Sequence, residues 1–306
     1  MRALQLPVPL PPGASWFPRE LASKPACRAH TIACVALFFA ASARTGRAAE
    51  GASPVFPRVT IADSEVRTMK SASTGRDYEL YVHLPARYHL SGTETYPVLY
   101  ILDGQGDFKL MDSVLGGLVY DGFVPELIMV GITYSGETPD YNALRAMDYT
   151  PTPVRQLVGS GDGPRFLGFL KGELLPFIEA SYRVDASRRA LQGSSYAGLF
   201  TLHVMLTDPG LFRAYVSASP AVTYDDRYAF KEEAEYARTH QALPARLFLA
   251  VGGAEELTTP VLEYMKTLES RLYRGLRLET RVIEGERHAG NKPEAFNRGL
   301  RFIFSQ

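Results

Sequence analysis

The stretch Arg189-Ala190-Leu191-Gln192-Gly193-Ser194-Ser195-Tyr196-Ala197-Gly198-Leu199-Phe200 decides how this chain is read. It reads as a short strand, a sharp turn and then a helix. Gly193, Ser195 and Ala197 form a small-x-Ser-x-small pattern, the spacing a nucleophile elbow needs. In such an elbow the serine occupies a strained turn, and bulky side chains two residues to either side would strike the neighbouring strand or helix. The turn lifts the Ser195 hydroxyl out of the sheet and leaves the backbone N–H of Tyr196 at a helix start, where it is able to stabilise an oxyanion. An ordinary Ser/Gly loop would carry the same letters, but the flanking strand and helix favour the nucleophile.

A serine hydroxyl near neutral pH needs a base within hydrogen-bond reach, and the base needs an acid to orient it. Downstream of the leader described below, the chain holds five histidines. His83 falls in an alternating strand, His89 in a surface loop, His203 two turns into the helix after the elbow, packed against the sheet, and His240 in a polar stretch. Each reads as structural or solvated. His288 lies in the loop Gly285-Glu286-Arg287-His288-Ala289-Gly290-Asn291, between the last strand and the last helix. That is where the chain order Ser…Asp/Glu…His puts the base. The acid then follows the preceding strand, Arg246 to Gly252, which leads into Gly253-Ala254-Glu255-Glu256. Glu255 is the candidate and Glu256 the alternative; each also fits a solvated glutamate at a helix start. The second oxyanion donor is expected from the loop after Pro97 to Gly104: the backbone N–H of Gln105, with Gly104 next. Asp103 reads as a turn-former.

Further out, Arg76 to Pro85 alternates as a half-buried strand does, and it is predicted to pair with Val59 to Met69 as an antiparallel hairpin across Ser71 to Gly75. Pro97 to Gly104 and Glu126 to Thr133 are apolar runs suited to parallel strands buried on both faces. Residues 134 to 163 are rich in Gly, Pro, Ser, Thr and Asp and read as a long loop or lid over the active-site end. Pro164 to Tyr182 reads as an amphipathic helix kinked by Pro176. Ala214 to Ser219, Arg246 to Gly252 and Leu278 to Glu284 read as strands, with helices at 257 to 274 and 292 to 304. This alternation predicts an α/β fold: a mostly parallel central sheet with helices on both faces and an N-terminal antiparallel hairpin.

The first fifty residues differ. Residues 1 to 30 are Pro-rich and carry Arg2, Arg19, Lys24 and Arg28 against the single acid Glu20. An apolar run follows, Thr31 to Ala43, too short to span a bilayer. Ala41-Ser42-Ala43 and Arg47-Ala48-Ala49 are alternative cleavage sites. The order is that of a secretory signal, so residues 1–49 read as a leader, 55–306 as one catalytic domain, and the location as periplasmic or secreted, without stable membrane insertion. Both cysteines, Cys27 and Cys34, fall in the leader, which leaves the remainder without a disulfide, a cysteine nucleophile or a thiolate metal site. Lys+Arg and Asp+Glu are balanced at 33 each across 306 residues, so the charge gives no sign of a nucleic-acid partner. Nothing in the sequence specifies a cofactor, a metal or an oligomeric state.

From Arg67 to the C-terminus the chain resembles the esterase D-like putative esterase family of α/β-hydrolases, in its siderophore (enterochelin) esterase-like branch. Tyr96-Pro97-Val98-Leu99-Tyr100-Ile101-Leu102-Asp103-Gly104 resembles the family's strand into the oxyanion loop. Arg145 with Asp148-Tyr149-Thr150-Pro151 resembles its R-x-x-D-x-TP segment, and Phe169 to Ile178 its FL…EL-PFI helix. The elbow, the Ser217-Ala218-Ser219-Pro220 strand end and Gly253-Ala254-Glu255 match further. Two positions depart: Ser194 stands where the family has histidine, and Ala197 where it has glycine. The resemblance implies a serine ester hydrolase acting on a small-molecule or polymer-linked ester, with Ser195, His288 and Glu255 as triad and the N–H groups of Tyr196 and Gln105 as oxyanion hole. Arg145 is the one basic residue near the site and a candidate substrate contact; its competing reading is an ion pair with Asp148. An acyltransferase on the same site, or a non-catalytic binding protein retaining the fold, are the alternatives.

Overall fold

Runs of sequence without a charged side chain become the centre of the sheet. In the computed structural model, which describes residues 59–90 and 92–305, eight strands form one sheet. They are β1 (Ser64–Lys70), β2 (Asp77–His83), β3 (Tyr96–Ile101), β4 (Ile128–Tyr134), β5 (Val184–Ser194), β6 (Ala214–Ala218), β7 (Arg246–Gly252) and β8 (Arg277–Ile283). Every residue of β3, β4 and β6 is buried. The spatial order is β1-β2-β4-β3-β5-β6-β7-β8. β1 and β2 pair antiparallel, as do β2 and β4; from β4 to β8 all pairing is parallel. The expected hairpin forms with Met69 opposite Tyr78. The expected leader, its candidate cleavage sites and both cysteines lie outside the described residues.

Helices cover both faces. α1 (Gly104–Tyr120) and α8 (Lys292–Phe304) bury Phe108, Met111, Phe296 and Leu300 with Leu99, Ile101 and Phe248 of the sheet. α5 (Tyr196–Thr207), α7 (Thr258–Arg271) and the helices between β4 and β5 bury Phe200, Tyr264, Phe166 and Phe169 on the other face, with Tyr100, Leu191 and Leu249. Adjacent residues such as Leu99 and Tyr100 go to opposite cores, the period-2 alternation of a strand. This is the mostly parallel α/β sheet that the order of apolar runs predicts, in the α/β-hydrolase arrangement that the resemblance implies.

Three local expectations need correction. Residues 134 to 163 are not one long loop: they contain α2 (Tyr141–Asp148), begun by Asp140, whose carboxylate accepts from the Ala143 N–H at 3.0 Å. The segment is pinned by the Arg76 guanidinium, which reaches Asp148 and, at 2.7 Å, Asp162. The stretch 164–182 divides into α3 (Gly163–Phe169), a π-helical turn over Leu170–Leu174, and α4 (Leu175–Ser181). The break therefore falls just ahead of Pro176. In an unbroken α-helix the proline ring would strike the carbonyl four residues back, and the wider turn gives it room. Two further helices, α1 and α6 (Tyr224–Thr239), form where the sequence pattern predicts no element.

Candidate active site

Strand β5 ends at Ser194 and α5 begins at Tyr196, so one residue makes the turn. Ser195 holds φ 63° and ψ −121°, a conformation that costs a side-chain-bearing residue about 1–3 kcal/mol and persists only where its surroundings impose it. The surroundings are visible. Its N–H donates to the Ala218 carbonyl at 3.0 Å, and its carbonyl accepts from Leu199 at 2.9 Å and Ala221 at 3.1 Å. The small-residue pattern has a direct steric cause: a Cβ on Gly193 would lie 2.4 Å from the carbonyl oxygen of Ala197 and 2.9 Å from its Cβ. The N–H of Tyr196 belongs to the first turn of α5, where backbone donors lack intrahelical acceptors.

The loop from β7 to α7 brings Glu255 to the loop from β8 to α8. Nδ1 of His288 and Oε2 of Glu255 are 2.6 Å apart. A carboxylate at that nitrogen favours the tautomer with the proton on Nδ1, which leaves Nε2 a free lone pair. The Glu255 side chain is 4% exposed and that of His288 44%. The second oxygen of Glu255 accepts from the Gly252 N–H at 2.7 Å, from the Ser219 hydroxyl and from Asn291 Nδ2 at 3.3 Å. Asn291, fully buried, also donates to Ser219 Oγ at 2.8 Å and to the His288 carbonyl at 3.0 Å. Ser195, Glu255 and His288 line one cavity of about 560 Å³, together with Tyr196, Tyr224 and Leu257. Glu256 also faces the cavity but is exposed, and among the described residues it makes no side-chain hydrogen bond or ion pair.

Gln105 is the second residue of α1, directly after the turn made by Asp103 (φ 55°, ψ 41°) and Gly104. A Cβ on Gly104 would stand 2.8 Å from the backbone of Gly131, so only glycine lets this turn lie so close to β4. The Gln105 side chain is anchored by Thr133, whose hydroxyl donates to Oε1 at 2.9 Å.

Arg145 is not paired with Asp148. It binds Asp103 with both edges of the fork, Nε to Oδ1 at 2.9 Å and Nη2 to Oδ2 at 2.7 Å. Asp148 belongs to Arg76 and to the Tyr78 hydroxyl, which donates to it at 2.8 Å; burial pushes its carboxyl up to about 6. Asp103 therefore does more than form a turn. Residues lining the cavity around Ser195 do not include Arg145.

The other described histidines lie elsewhere. His83 is 3.1 Å from Asp112, His89 meets Tyr88 edge-on, and His240 stacks on Tyr236. His203 does not simply pack against the sheet: its Nδ1 is 2.6 Å from Glu232 of α6. Ser219 and Asn291, the supports of Glu255, stand out in the sequence only as parts of longer motifs. Nothing local distinguishes them, because their partner Glu255 is 36 residues away in the chain from each. Among the described residues no cluster of three His, Cys, Asp or Glu could hold a metal ion, and no helix is long and apolar enough to cross a membrane.

Residues 71–288 match the family model described as "Putative esterase". The ferri-bacillibactin esterase of Bacillus subtilis is 29% identical over 281 residues, which cover 84% of this chain and 94% of that protein. An IroE-like serine hydrolase from Shewanella oneidensis superposes with a TM-score of 0.70 at 26% identity, over 79% of this chain and 80% of that one. The BES protein from Bacillus cereus superposes with a TM-score of 0.74 at 24% identity, covering 83% and 100%, a likeness of fold.

Proposed function

This chain belongs to the putative esterase family, in its siderophore esterase-like branch, and on that premise we propose that it is a serine hydrolase of carboxylic esters. Ser195 is the nucleophile, His288 the base and Glu255 the acid that orients it. The observation that carries the reading is the short contact between His288 Nδ1 and Glu255, made on the rim of the cavity that the strained Ser195 also lines.

The steps follow from these groups. Ser195 Oγ attacks the ester carbonyl carbon as His288 Nε2 takes its proton. Glu255 accepts the Nδ1–H throughout and stabilises the imidazolium without itself being protonated. The carbonyl oxygen becomes an oxyanion and is held by the N–H groups of Tyr196 and Gln105. Collapse of the intermediate breaks the C–O bond. The alcohol leaves with the proton from His288, and the acyl group stays on Ser195. Water, deprotonated by His288, then attacks the acyl carbon; the bond to Ser195 Oγ breaks, Oγ takes the proton back from His288, and the acid product leaves and ionises in water.

The ferri-bacillibactin esterase supports an ester of siderophore type as the substrate. The leader supports export, so that such esters would be met outside the cytoplasm. N-terminal sequencing of the protein from its host checks this: export predicts a start near residue 44 or 50, and an intact Met1 on a cytoplasmic protein rules it out. For the chemistry, a fluorophosphonate probe should label the wild type on Ser195 and leave Ser195→Ala unlabelled. No labelling of a folded wild type would sink the serine-hydrolase reading.

A further inference from the structure

The turn that presents Gln105 is gripped from two sides. Asp103, in the left-handed region, has its N–H within 3.2 Å of the Tyr149 hydroxyl oxygen, and its carboxylate is held along both edges by Arg145. Four residues on, Asp107 is bound by Lys292 Nζ at 2.8 and 3.2 Å. Arg145 does one thing more: the Nη2 that holds Asp103 also lies 3.4 Å from the carbonyl oxygen of Ser194, the residue before the nucleophile. A single planar guanidinium thus connects the residue two before Gln105 with the residue two before Tyr196. The side chains of Arg145 and Asp103 are 19% and 9% exposed, so water competes little with their bonds.

We propose that Arg145 is a positioning residue of the oxyanion hole: through its fork on Asp103 and its contact with the Ser194 carbonyl it sets the spacing between the Gln105 and Tyr196 N–H groups. The inference rests on the proposed function, in which these two N–H groups hold the oxyanion. Direct contact with an anionic substrate is the competing role. The geometry opposes it, because Nε and Nη2 are committed to Asp103. A hole built from two separate loops works only when both donors sit near 3 Å from one oxygen position, so a shift of either loop costs turnover rather than binding.

The test is kinetic. Arg145→Lys keeps the charge but loses the fork, and Asp103→Asn keeps the shape but loses the charge. Both, and the double variant, are assayed on two esters with the same leaving group, one with a neutral and one with an anionic acyl part, alongside Ser195→Ala and the thermal midpoint of each protein. The proposal expects kcat to fall by about 100-fold in each single variant, as loss of an oxyanion donor does. The fall should be equal on both esters, with KM nearly unchanged and the pH profile kept. The double variant should be no worse than either single one, since the two residues act as a unit. A loss confined to KM on the anionic ester overturns it in favour of substrate contact. Unchanged kcat, or unfolding of all three variants, overturns it in favour of a stability role. If one single variant fails to fold, the other decides by the same criteria. A wild type inactive on both esters removes the ester-hydrolase reading and this inference with it. An active wild type with a silent Ser195→Ala keeps that reading, so any remaining failure falls on the role of Arg145 alone.

Discussion

Two histidine–glutamate pairs in this molecule share one geometry and differ in everything around it. In His288–Glu255 and in His203–Glu232, Nδ1 and a carboxylate oxygen are 2.6 Å apart. The His203 side chain is 6% exposed, and its Nε2 is buried with no hydrogen-bond partner among the described residues. The His288 side chain is 44% exposed and shares a cavity with a strained serine. A carboxylate at Nδ1 therefore selects a tautomer in both places, and under the proposed function only His288, exposed in the cavity that Ser195 lines, is available as a base. The carboxylates also differ. Glu255 is held by a backbone N–H, a hydroxyl and an amide, which fix it and leave its charge for the histidine. Among the described residues Glu232 has only the Thr207 hydroxyl at 3.4 Å and the Tyr228 hydroxyl at 3.5 Å besides His203.

The sharpest way to break this contrast is to remove the group that only one pair possesses. Ser195→Ala should lower kcat for a short activated ester by about a million-fold, the scale of losing a triad nucleophile, with the thermal midpoint little changed. His288→Ala should do nearly as much. Steady-state rates on purified, folded variants are the check. If His203→Ala instead proved the silent one, the two pairs would have been assigned the wrong way round.

Glu255→Gln is next. The amide keeps the shape and loses the charge that steadies the imidazolium, and turnover should fall by about ten-thousand-fold, as in serine proteases whose triad aspartate becomes an amide. Activity retained within tenfold would mean that His288 works without its acid, or draws one from another strand. The matching change at the other pair, Glu232→Gln, should leave kcat alone. His203→Ala, which strips the mostly buried Glu232 carboxylate of its nearest partner, should lower stability by about 1–3 kcal/mol with kcat intact. Denaturant unfolding beside ester assays separates the two quantities.

Legibility in the sequence follows the range of the interactions. The elbow could be read because its constraint is local: Gly193 meets Ala197 four residues later. The buried strands could be read because a parallel sheet covered on both faces tolerates only apolar runs. The nearness of His288 to Glu255 could be expected from chain order along the sheet. What stayed hidden is carried by partners distant in the chain. Arg145 chooses Asp103, 42 residues away, over Asp148, three residues on. Asp148 is taken by Arg76, and nothing in the spacing reveals that exchange. Helix α1 was invisible because it opens Gly104-Gln105-Gly106 and contains Gly116-Gly117, a composition that reads as loop. Its helical state comes from burying Phe108, Met111 and Leu115 against the sheet. In α6, residues 225–227 are left-handed at the start, although Thr223 and the acids Asp225 and Asp226 are residue types that ordinarily open a helix.

The smallest expected effect is at Glu256, and it bears most directly on what neighbours contribute. Glu255 and Glu256 are adjacent in one turn and both reach the cavity. Only Glu255 approaches His288, and only its side chain is enclosed, by Gly252, Ser219 and Asn291. Glu256 is exposed to solvent, where water screens a charge before it acts on a neighbour. Glu256→Gln should therefore keep stability within about 0.5 kcal/mol, the usual span for a surface change, and kcat within about twofold. Its one expected signature is in KM: if the substrate is anionic, removing a negative charge from the cavity rim should lower KM modestly, and added salt should erase the difference. Measuring kcat and KM at low and high ionic strength for the 255 and 256 variants side by side makes the comparison quantitative. A large fall in kcat for Glu256→Gln would show that the turn rearranges when substrate enters, and that the acid His288 uses in the reaction is not the one it touches at rest.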